Sequence, residues 1–223
     1  MTCRSYTAYW RVQYEPDEIE KRSFEIIRSE LSHPLEPGLA PVILRVIHTT
    51  ADFDYVKSLA FSKGVIDRAV SSLRQGIQIV CDTNMVRACV DKARLGAFGG
   101  DIHCFIQDED IAYNAQKNGV TRAFAAIDKA AAMKKPFIFA VGNAPTALMR
   151  ICELKEAGQL SPVLVIGVPV GFVNVVESKE ILMGSGIPYI TARGRKGGSN
   201  VAAAICNALL RMAESPPVLT EGI

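Results

Sequence analysis

The fold of this chain is decided by a stretch of ten residues, FIFAVGNAPT, at positions 137–146. Its first half is a continuous apolar run, which is typical of a strand buried on both faces. Its second half contains glycine, asparagine and proline, and helical spacing follows to about Ala157. The stretch therefore predicts a buried strand that turns directly into a helix, which is the repeating unit of a parallel α/β sheet.

The same pattern recurs along the second two thirds of the chain. Short apolar strands, each followed by a helix, are predicted at residues 77–80, 102–106, 163–166 and 189–192. The part before residue 77 reads as helices only, at about 16–31, 39–50, 53–60 and 65–73, with no strand of its own. We therefore expect an α/β fold with a doubly wound, mainly parallel sheet and an N-terminal helical segment. One domain is expected over residues 1–223, with a core at about 14–212 and a loose tail at 213–223.

Composition excludes several classes of protein. The chain has 223 residues, of which 49% are hydrophobic and 22% charged, as in a globular domain. A formal net charge of +2 without a basic stripe argues against nucleic-acid binding. No signal peptide is expected, because the start, with Arg4 and Arg11, lacks an apolar run. No membrane span is expected either, because the longest apolar stretch, 163–176, is broken by glycine and proline. Six cysteines without paired spacing indicate a reduced, cytoplasmic environment, and neither a disulfide framework nor a metal site is predicted.

Four junctions between a strand and a helix carry polar or glycine-rich residues. In open parallel sheets, ligands bind beyond the carboxyl ends of the strands. The junctions are Asp82-Thr83-Asn84, Gly142-Asn143-Ala144-Pro145-Thr146, residues 167–174, and residues 193–200 with the positive charges of Arg193, Arg195 and Lys196. Any one of them also fits ordinary turn geometry and helix capping. Together they indicate a ligand with several anionic or amide arms.

His48 is the best candidate for acid–base chemistry. It follows an apolar stripe of helical spacing and points away from it, beside Thr49 and Thr50. Histidine can give or take a proton near neutrality. The pattern also fits an ordinary solvated surface histidine. Of the other histidines, His33 stands beside a proline and His103 within a predicted strand, where a structural role is expected.

Ser23 is a hydroxyl within the apolar stripe of the first helix. It either bonds back to the carbonyl one turn earlier or donates to a ligand. No GxGxxG, P-loop or GxSxG motif is present. A generic nucleotide-dependent α/β enzyme therefore remains an alternative without motif support.

Four long motifs carry a resemblance to a known family. They are RVIHTTADFD (45–54), GNAPTAL (142–148), GVPVGFVNVVESKE (167–180) and GRKGGSNVAAAICNALL (194–210). From about Tyr14 to Leu210 the chain resembles the precorrin-8X methylmutases, called cobalt-precorrin-8 methylmutases in the anaerobic route to vitamin B12. The resemblance implies a cytoplasmic isomerase with a flavodoxin-like fold, usually a homodimer, that needs no organic cofactor. The implied reaction is a [1,5]-sigmatropic shift of a methyl group from C11 to C12 of the corrinoid ring.

The resemblance also assigns roles to residues. The family's catalytic histidine matches His48, its substrate-contacting serine matches Ser23, and an arginine matches Arg122, although Ala123 stands where serine is usual. Asn174-Val175-Val176 likewise stands where Gly-Ala-Ala is common. We expect the carboxylate and amide arms of the ring to be bound by Ser23, Thr49, Thr50, Asp82, Thr83, Arg122, Gly142, Asn143 and Arg193.

Two questions stay open at this point. Thr49-Thr50 and AFGGD (97–101) look more like the anaerobic members, so cobalt-precorrin-8 is the expected substrate and precorrin-8X of the aerobic route the alternative. A non-catalytic corrinoid carrier, with His48 as an axial cobalt ligand, is the alternative from another class.

Overall fold

The computed structural model describes residues 15–214. The predictions for the opening residues, for Tyr14 and for residues 215–223 of the tail lie outside this part of the chain. Contacts divide the protein into two compact units, Met1–Leu35 and Glu36–Ile223. Within residues 15–214, no helix is long and apolar enough to cross a bilayer.

The described part of the first unit is one helix, α1, at Pro16–Glu30. Proline at the first helical position fits the helix start, because its missing N–H would have no partner there. The backbone N–H of Glu15 donates to the Glu18 carboxylate at 3.2 Å.

The described part of the second unit contains ten helices and six strands. The helices are α2 (Ala40–Thr50), α3 (Tyr55–Ser58), α4 (Val65–Arg74), α5 (Asn84–Cys89), α6 (Lys92–Ala97), α7 (Glu109–Asn118), α8 (Arg122–Ala132), α9 (Pro145–Glu156), α10 (Val175–Gly184) and α11 (Ser199–Glu214). The strands are β1 (Leu59–Phe61), β2 (Gln78–Cys81), β3 (Ile102–His103), β4 (Phe137–Val141), β5 (Leu164–Gly167) and β6 (Tyr189–Ala192).

The six strands form one sheet in the order β1-β6-β5-β4-β2-β3. The last five in this order are parallel to their neighbours, which confirms the predicted mainly parallel α/β sheet. Their order is that of flavodoxin-like folds, in which the chain reverses direction across the sheet after the first strand pair. The reversal point lies between β2 and β4, so a crevice is expected where these two strands end.

The first part of the second unit departs from the prediction. A helix was expected over 53–60 and no strand before residue 77, but α3 ends at Ser58 and Leu59 begins β1. β1 pairs antiparallel with β6, with Leu59 opposite Ala192 and Phe61 opposite Ile190. Pairing with the sheet edge decides this segment, because a three-residue strand has no periodicity to read in the sequence.

The core lies on both faces of the sheet. All five residues of β4 are buried, as the opening stretch predicted. α11 packs against α2 and α4, and small residues such as Ala202 and Ala203 allow close approach. α11 continues to Glu214, so residues 213–214, which were expected in the tail, are helical and Ala213 is buried. Among the described cysteines, four are buried free thiols and Cys89 is exposed.

Candidate active site at the carboxyl edge of the sheet

Asp82 connects the two loops at the reversal point between β2 and β4. Its side chain is 4% exposed. Oδ1 accepts the N–H of Gly142 at 2.9 Å, and Oδ2 accepts those of Asn143 and Ala144 at 2.8 and 2.7 Å. Burial raises the pKa of Asp82, while the three N–H groups act in the opposite direction. Both carboxylate oxygens are therefore engaged in holding the loop after β4.

Thr83 and Gly142 join these loops to the start of α11. The Thr83 hydroxyl caps α5 by accepting the Val86 N–H at 3.2 Å, and it lies 2.9 Å from the Ser199 hydroxyl. A Cβ at position 142 would lie 2.6 Å from the Ser199 Cα, so only glycine fits there. Asn143, in contrast, is exposed at the edge.

The loops after β5 and β6 are bound to each other. Gly198 N–H donates to the Val168 carbonyl at 2.8 Å, and Gly171 N–H donates to the Arg195 carbonyl at 3.2 Å. Lys179 of α10 is fully buried, and its Nζ donates to the carbonyls of Gly194 and Lys196, both at 2.8 Å. Burial lowers the pKa of Lys179 to about 8. This role was not predictable, because Lys179 stands within ESKE (177–180), a charged stretch typical of a solvated helix face.

His48 lies exposed in the last turn of α2, with its helix backed by Val46 and Ile47 in the core, as predicted. Ala51 follows the helix, and its left-handed backbone and its N–H bond to the Ile47 carbonyl close the last turn. The hydroxyls of Thr49 and Thr50 donate back to the carbonyls one turn earlier, at 2.9 and 2.8 Å.

Lys196 ties the end of α2 to the loop after β6. Its Nζ lies 2.7 Å from an Asp52 oxygen and 2.6 Å from an Asp54 oxygen. The hydrogen bond from Lys196 lowers the pKa of Asp52, and the two carboxylates raise the pKa of Lys196. The backbone N–H of Arg193 adds a bond to the Ser58 carbonyl at 2.7 Å. The segment that follows His48 is therefore held at the same loop that carries Arg193 and Arg195.

Arg122 and Arg193 are exposed cations near helix and strand ends. Arg122 is the first residue of α8, and the preceding Thr121 caps that helix and bonds to the Thr146 hydroxyl of α9 at 2.8 Å. The Arg193 side chain is 58% exposed, and its guanidinium lies 3.7 Å from the Glu180 carboxylate.

Two predicted polar residues have local partners. Ser23 lies on α1 in the first unit, where its hydroxyl donates to the Ile19 carbonyl at 2.8 Å, which is the back-bonded alternative. His103 in β3 bonds to the Gln78 side chain at 2.7 Å and stacks on Phe105, contacts that fit the structural role expected of it.

Two cavities bear on the position of the site. One of about 280 Å³ lies between α2 and α11, with Arg45, Thr49, Asn200 and Asn207 among its lining residues. A larger one of about 860 Å³ lies at the opposite edge of the sheet, before β4 and β5, beside Lys134 and Pro136. The larger cavity contains none of the predicted site residues. We place the candidate site at the carboxyl edge, because parallel sheets bind ligands there.

The fold and this edge define an α/β protein of flavodoxin-like strand order whose candidate ligand site lies at the loops after its parallel strands. Comparison with known proteins gives the family. The sequence profile described as Precorrin-8X methylmutase matches residues 18–212. This chain therefore belongs to the precorrin-8X methylmutase family, which is a family of enzymes, as its motifs predicted.

Individual relatives match over nearly their whole length. The chain is 41% identical over 210 residues to a cobalt-precorrin-8 methylmutase of Priestia megaterium, covering 94% of this chain and 93% of that protein. It is 44% identical over 206 residues to one of Salmonella typhimurium, covering 88% and 95%. A precorrin-8X methylmutase of Pseudomonas aeruginosa is 38% identical over 194 residues, covering 86% and 93%. The crystal structure of precorrin-8X methylmutase from Thermus thermophilus superposes with a TM-score of 0.79 at 37% identity, covering 87% and 96%.

Proposed function

We propose that this chain is a cobalt-precorrin-8 methylmutase that moves a methyl group from C11 to C12 of the corrinoid ring. The observation that carries the proposal is the exposure of His48 at the end of a buried-backed helix, beside a loop edge that Lys196 holds in place. The cobalt form is favoured because the relatives at 41% and 44% identity carry that name, although other relatives so named, at 35% to 39%, overlap the 38% of the precorrin-8X methylmutase from Pseudomonas aeruginosa.

The reaction requires no covalent bond between the protein and its substrate. In a [1,5]-sigmatropic shift the C11–methyl bond breaks as the C12–methyl bond forms, so no group leaves and no electrons are supplied. The protein has to hold the ring and bias its electron distribution. His48 does this by donating a hydrogen bond or a proton to the ring, and a donated proton returns to His48 when the shift is complete.

The arms of the ring call for cations and N–H donors. Arg122 and Arg193 are exposed and able to pair with carboxylates, and Asn143 offers an exposed amide. In this proposal the hydroxyls of Ser23, Thr49 and Thr50 turn from the backbone carbonyls one turn earlier and donate to carboxylates of the ligand. Asp82, Thr83 and Gly142 serve the same ligand indirectly in this proposal, by fixing the loops that present Asn143 and the start of α11.

The proposal extends to assembly and location. We propose a homodimer that works in the cytoplasm as one folded domain, without an organic cofactor, and that uses neither nucleic acid nor membrane as a partner. Resemblance to the family supports the homodimer, the cytoplasmic location and the lack of an organic cofactor. Cobalt enters only as part of the substrate.

The test is turnover of cobalt-precorrin-8 and of metal-free precorrin-8X, followed by visible absorption. Wild-type protein is expected to isomerise the cobalt form faster, and His48→Ala to lose at least about 100-fold in rate, as for loss of a general acid. His33→Ala, another exposed histidine, is the control and should keep the wild-type rate. Wild-type turnover by His48→Ala would remove His48 from the mechanism. Binding without any isomerisation, with a cobalt spectrum that depends on His48, would instead identify the carrier.

A further inference from the structure

An apolar patch stands out from the loop between β5 and α10. Val170, Phe172 and Val173 are 48%, 81% and 77% exposed. Single exposed apolar residues are ordinary on protein surfaces, but three within four positions at a ligand edge form a patch. These residues lie in the junction 167–174 that the sequence placed at the ligand edge, but none of them was named as a ligand contact.

Backbone hydrogen bonds between the loops after β5 and β6 hold the patch at the surface. The Gly171 N–H donates to the Arg195 carbonyl at 3.2 Å, and the Gly198 N–H donates to the Val168 carbonyl at 2.8 Å. A Cβ at position 197 would collide with the Val168 carbonyl oxygen, so the two loops approach as closely as glycine allows. Phe172 is therefore presented to solvent by two loops that are bonded to each other.

Arg195 accompanies the exposed ring. Its guanidinium carbon lies 5.3 Å from the centroid of Phe172, within cation–π range. Among residues 15–214, no carboxylate pairs with Arg195. The cation covers one face of the ring, which leaves the other face and the guanidinium N–H groups for a ligand.

We propose that Phe172 and Arg195 jointly bind the corrinoid. The Phe172 ring lies against the apolar face of the macrocycle, and Arg195 pairs with a carboxylate arm. This inference rests on the proposed function. A flat ring with carboxylates at its rim is complementary to an aromatic face beside a cation. Position supports it as well, because the next residue, Lys196, binds Asp52 and Asp54 just after the helix of His48.

The test is titration of wild-type protein and variants with cobyrinate and with its esterified, uncharged form, followed by visible absorption. Phe172→Ser is expected to weaken binding of both forms roughly tenfold, because apolar contact is lost for both. Arg195→Met is expected to weaken cobyrinate roughly tenfold and to leave the ester within about twofold. Both side chains are exposed, so the melting temperature should not change.

A matched pair on the chain provides the control. Tyr113 on α7 is 64% exposed and carries Lys117 at 5.9 Å from its ring. Tyr113→Ser and Lys117→Met should bind both corrinoids like wild type. Sedimentation of the Phe172→Ser variant shows whether the patch instead contacts a second copy, since a changed assembly mass would overturn the inference.

Two failures are distinguishable. Wild-type affinity in Phe172→Ser, while the wild-type protein isomerises its substrate, overturns the inference and leaves the proposed function standing. A wild-type protein that neither binds nor isomerises any corrinoid overturns both.

Discussion

Asp82 is the residue on which the geometry of the edge depends most. Three backbone N–H groups from the loop after β4 converge on its buried carboxylate. Buried donors without acceptors are costly, and charged acceptors make the stronger hydrogen bonds. The buried Asp82 carboxylate, which bonds to backbone N–H groups, therefore acts to position the loop after β4. In the sequence, its place after a strand fits a ligand contact equally well.

Replacing Asp82 with Ala is expected to lower the free energy of unfolding by about 3 kcal/mol, because three N–H groups lose their acceptor. Urea denaturation measures this. Asp67→Ala, at an exposed position of α4, is the control and should change stability little. A loss below about 1 kcal/mol for Asp82→Ala would show that the loop does not depend on this carboxylate.

Lys179 makes stability depend on pH. Its pKa is about 8 in the folded protein and near 10.5 when exposed. Between these values the unfolded chain binds a proton that the folded chain has lost, so stability rises with pH. Relative to Lys179→Met, the wild type is expected to gain up to about 3 kcal/mol between pH 8 and pH 10.5.

Urea titrations across that pH range measure the effect of Lys179. Lys63→Met, at an exposed lysine, should show a constant offset from wild type. Parallel stability curves for wild type and Lys179→Met would mean that the buried amine keeps its ordinary pKa.

At the scale of elements, the end of α2 depends on Lys196. Its two carboxylate partners are exposed or half-buried, so the ion pairs contribute little to stability. Their effect is on position, since they fix the turn that follows His48. The pKa of Asp52 is lowered, so this contribution is present above the ordinary pKa of an aspartate and disappears as pH falls through the lowered value.

Lys196→Met is therefore expected to reduce turnover roughly tenfold with almost no change in melting temperature, because a small displacement of a catalytic group is costly in rate. Steady-state kinetics and thermal melts measure both. Lys129→Met is the matched control, since Lys129 also joins two carboxylates, Asp108 and Asp110. Unchanged turnover in Lys196→Met would show that the ion pairs of Lys196 with Asp52 and Asp54 do not position His48.

Elements with strong patterns were predictable and weak ones were not. β4 was predictable because burial on both faces produces a continuous apolar run of five residues. α2 was predictable because burial on one face produces an apolar stripe of helical spacing. β1 was not, because three residues paired at a sheet edge leave no pattern. The site divides in the same way. The exposure of His48 followed from its position on the helix, whereas the Lys179 contacts and the Phe172–Arg195 pair arise from two loops brought together only by folding.

At the scale of the whole molecule, strand order decides which edge of the sheet is the candidate ligand site. The chain reverses between β2 and β4, and the loops that follow these strands converge on Asp82 and Ser199. The loops after β5 and β6 continue the same edge toward the end of α2. This row of loops suits the flat, many-armed ligand that we propose.

Sedimentation equilibrium is expected to give twice the mass of the 24.2 kDa chain at micromolar concentration, as the proposed homodimer requires. Exposed apolar residues on the described surface, including Ile181 at 47%, are consistent with a covered face. A single-chain mass across the whole concentration range would contradict the dimer and leave the assignment of the reaction untouched.

The most direct measurement of the central claim is a crystal structure of the protein with cobyrinate bound. We expect the ring over the carboxyl ends of β2, β4 and β5, with the His48 imidazole in contact with it near C11 and C12. A ring bound in the cavity beside Lys134 and Pro136, at the opposite edge of the sheet, would contradict the account.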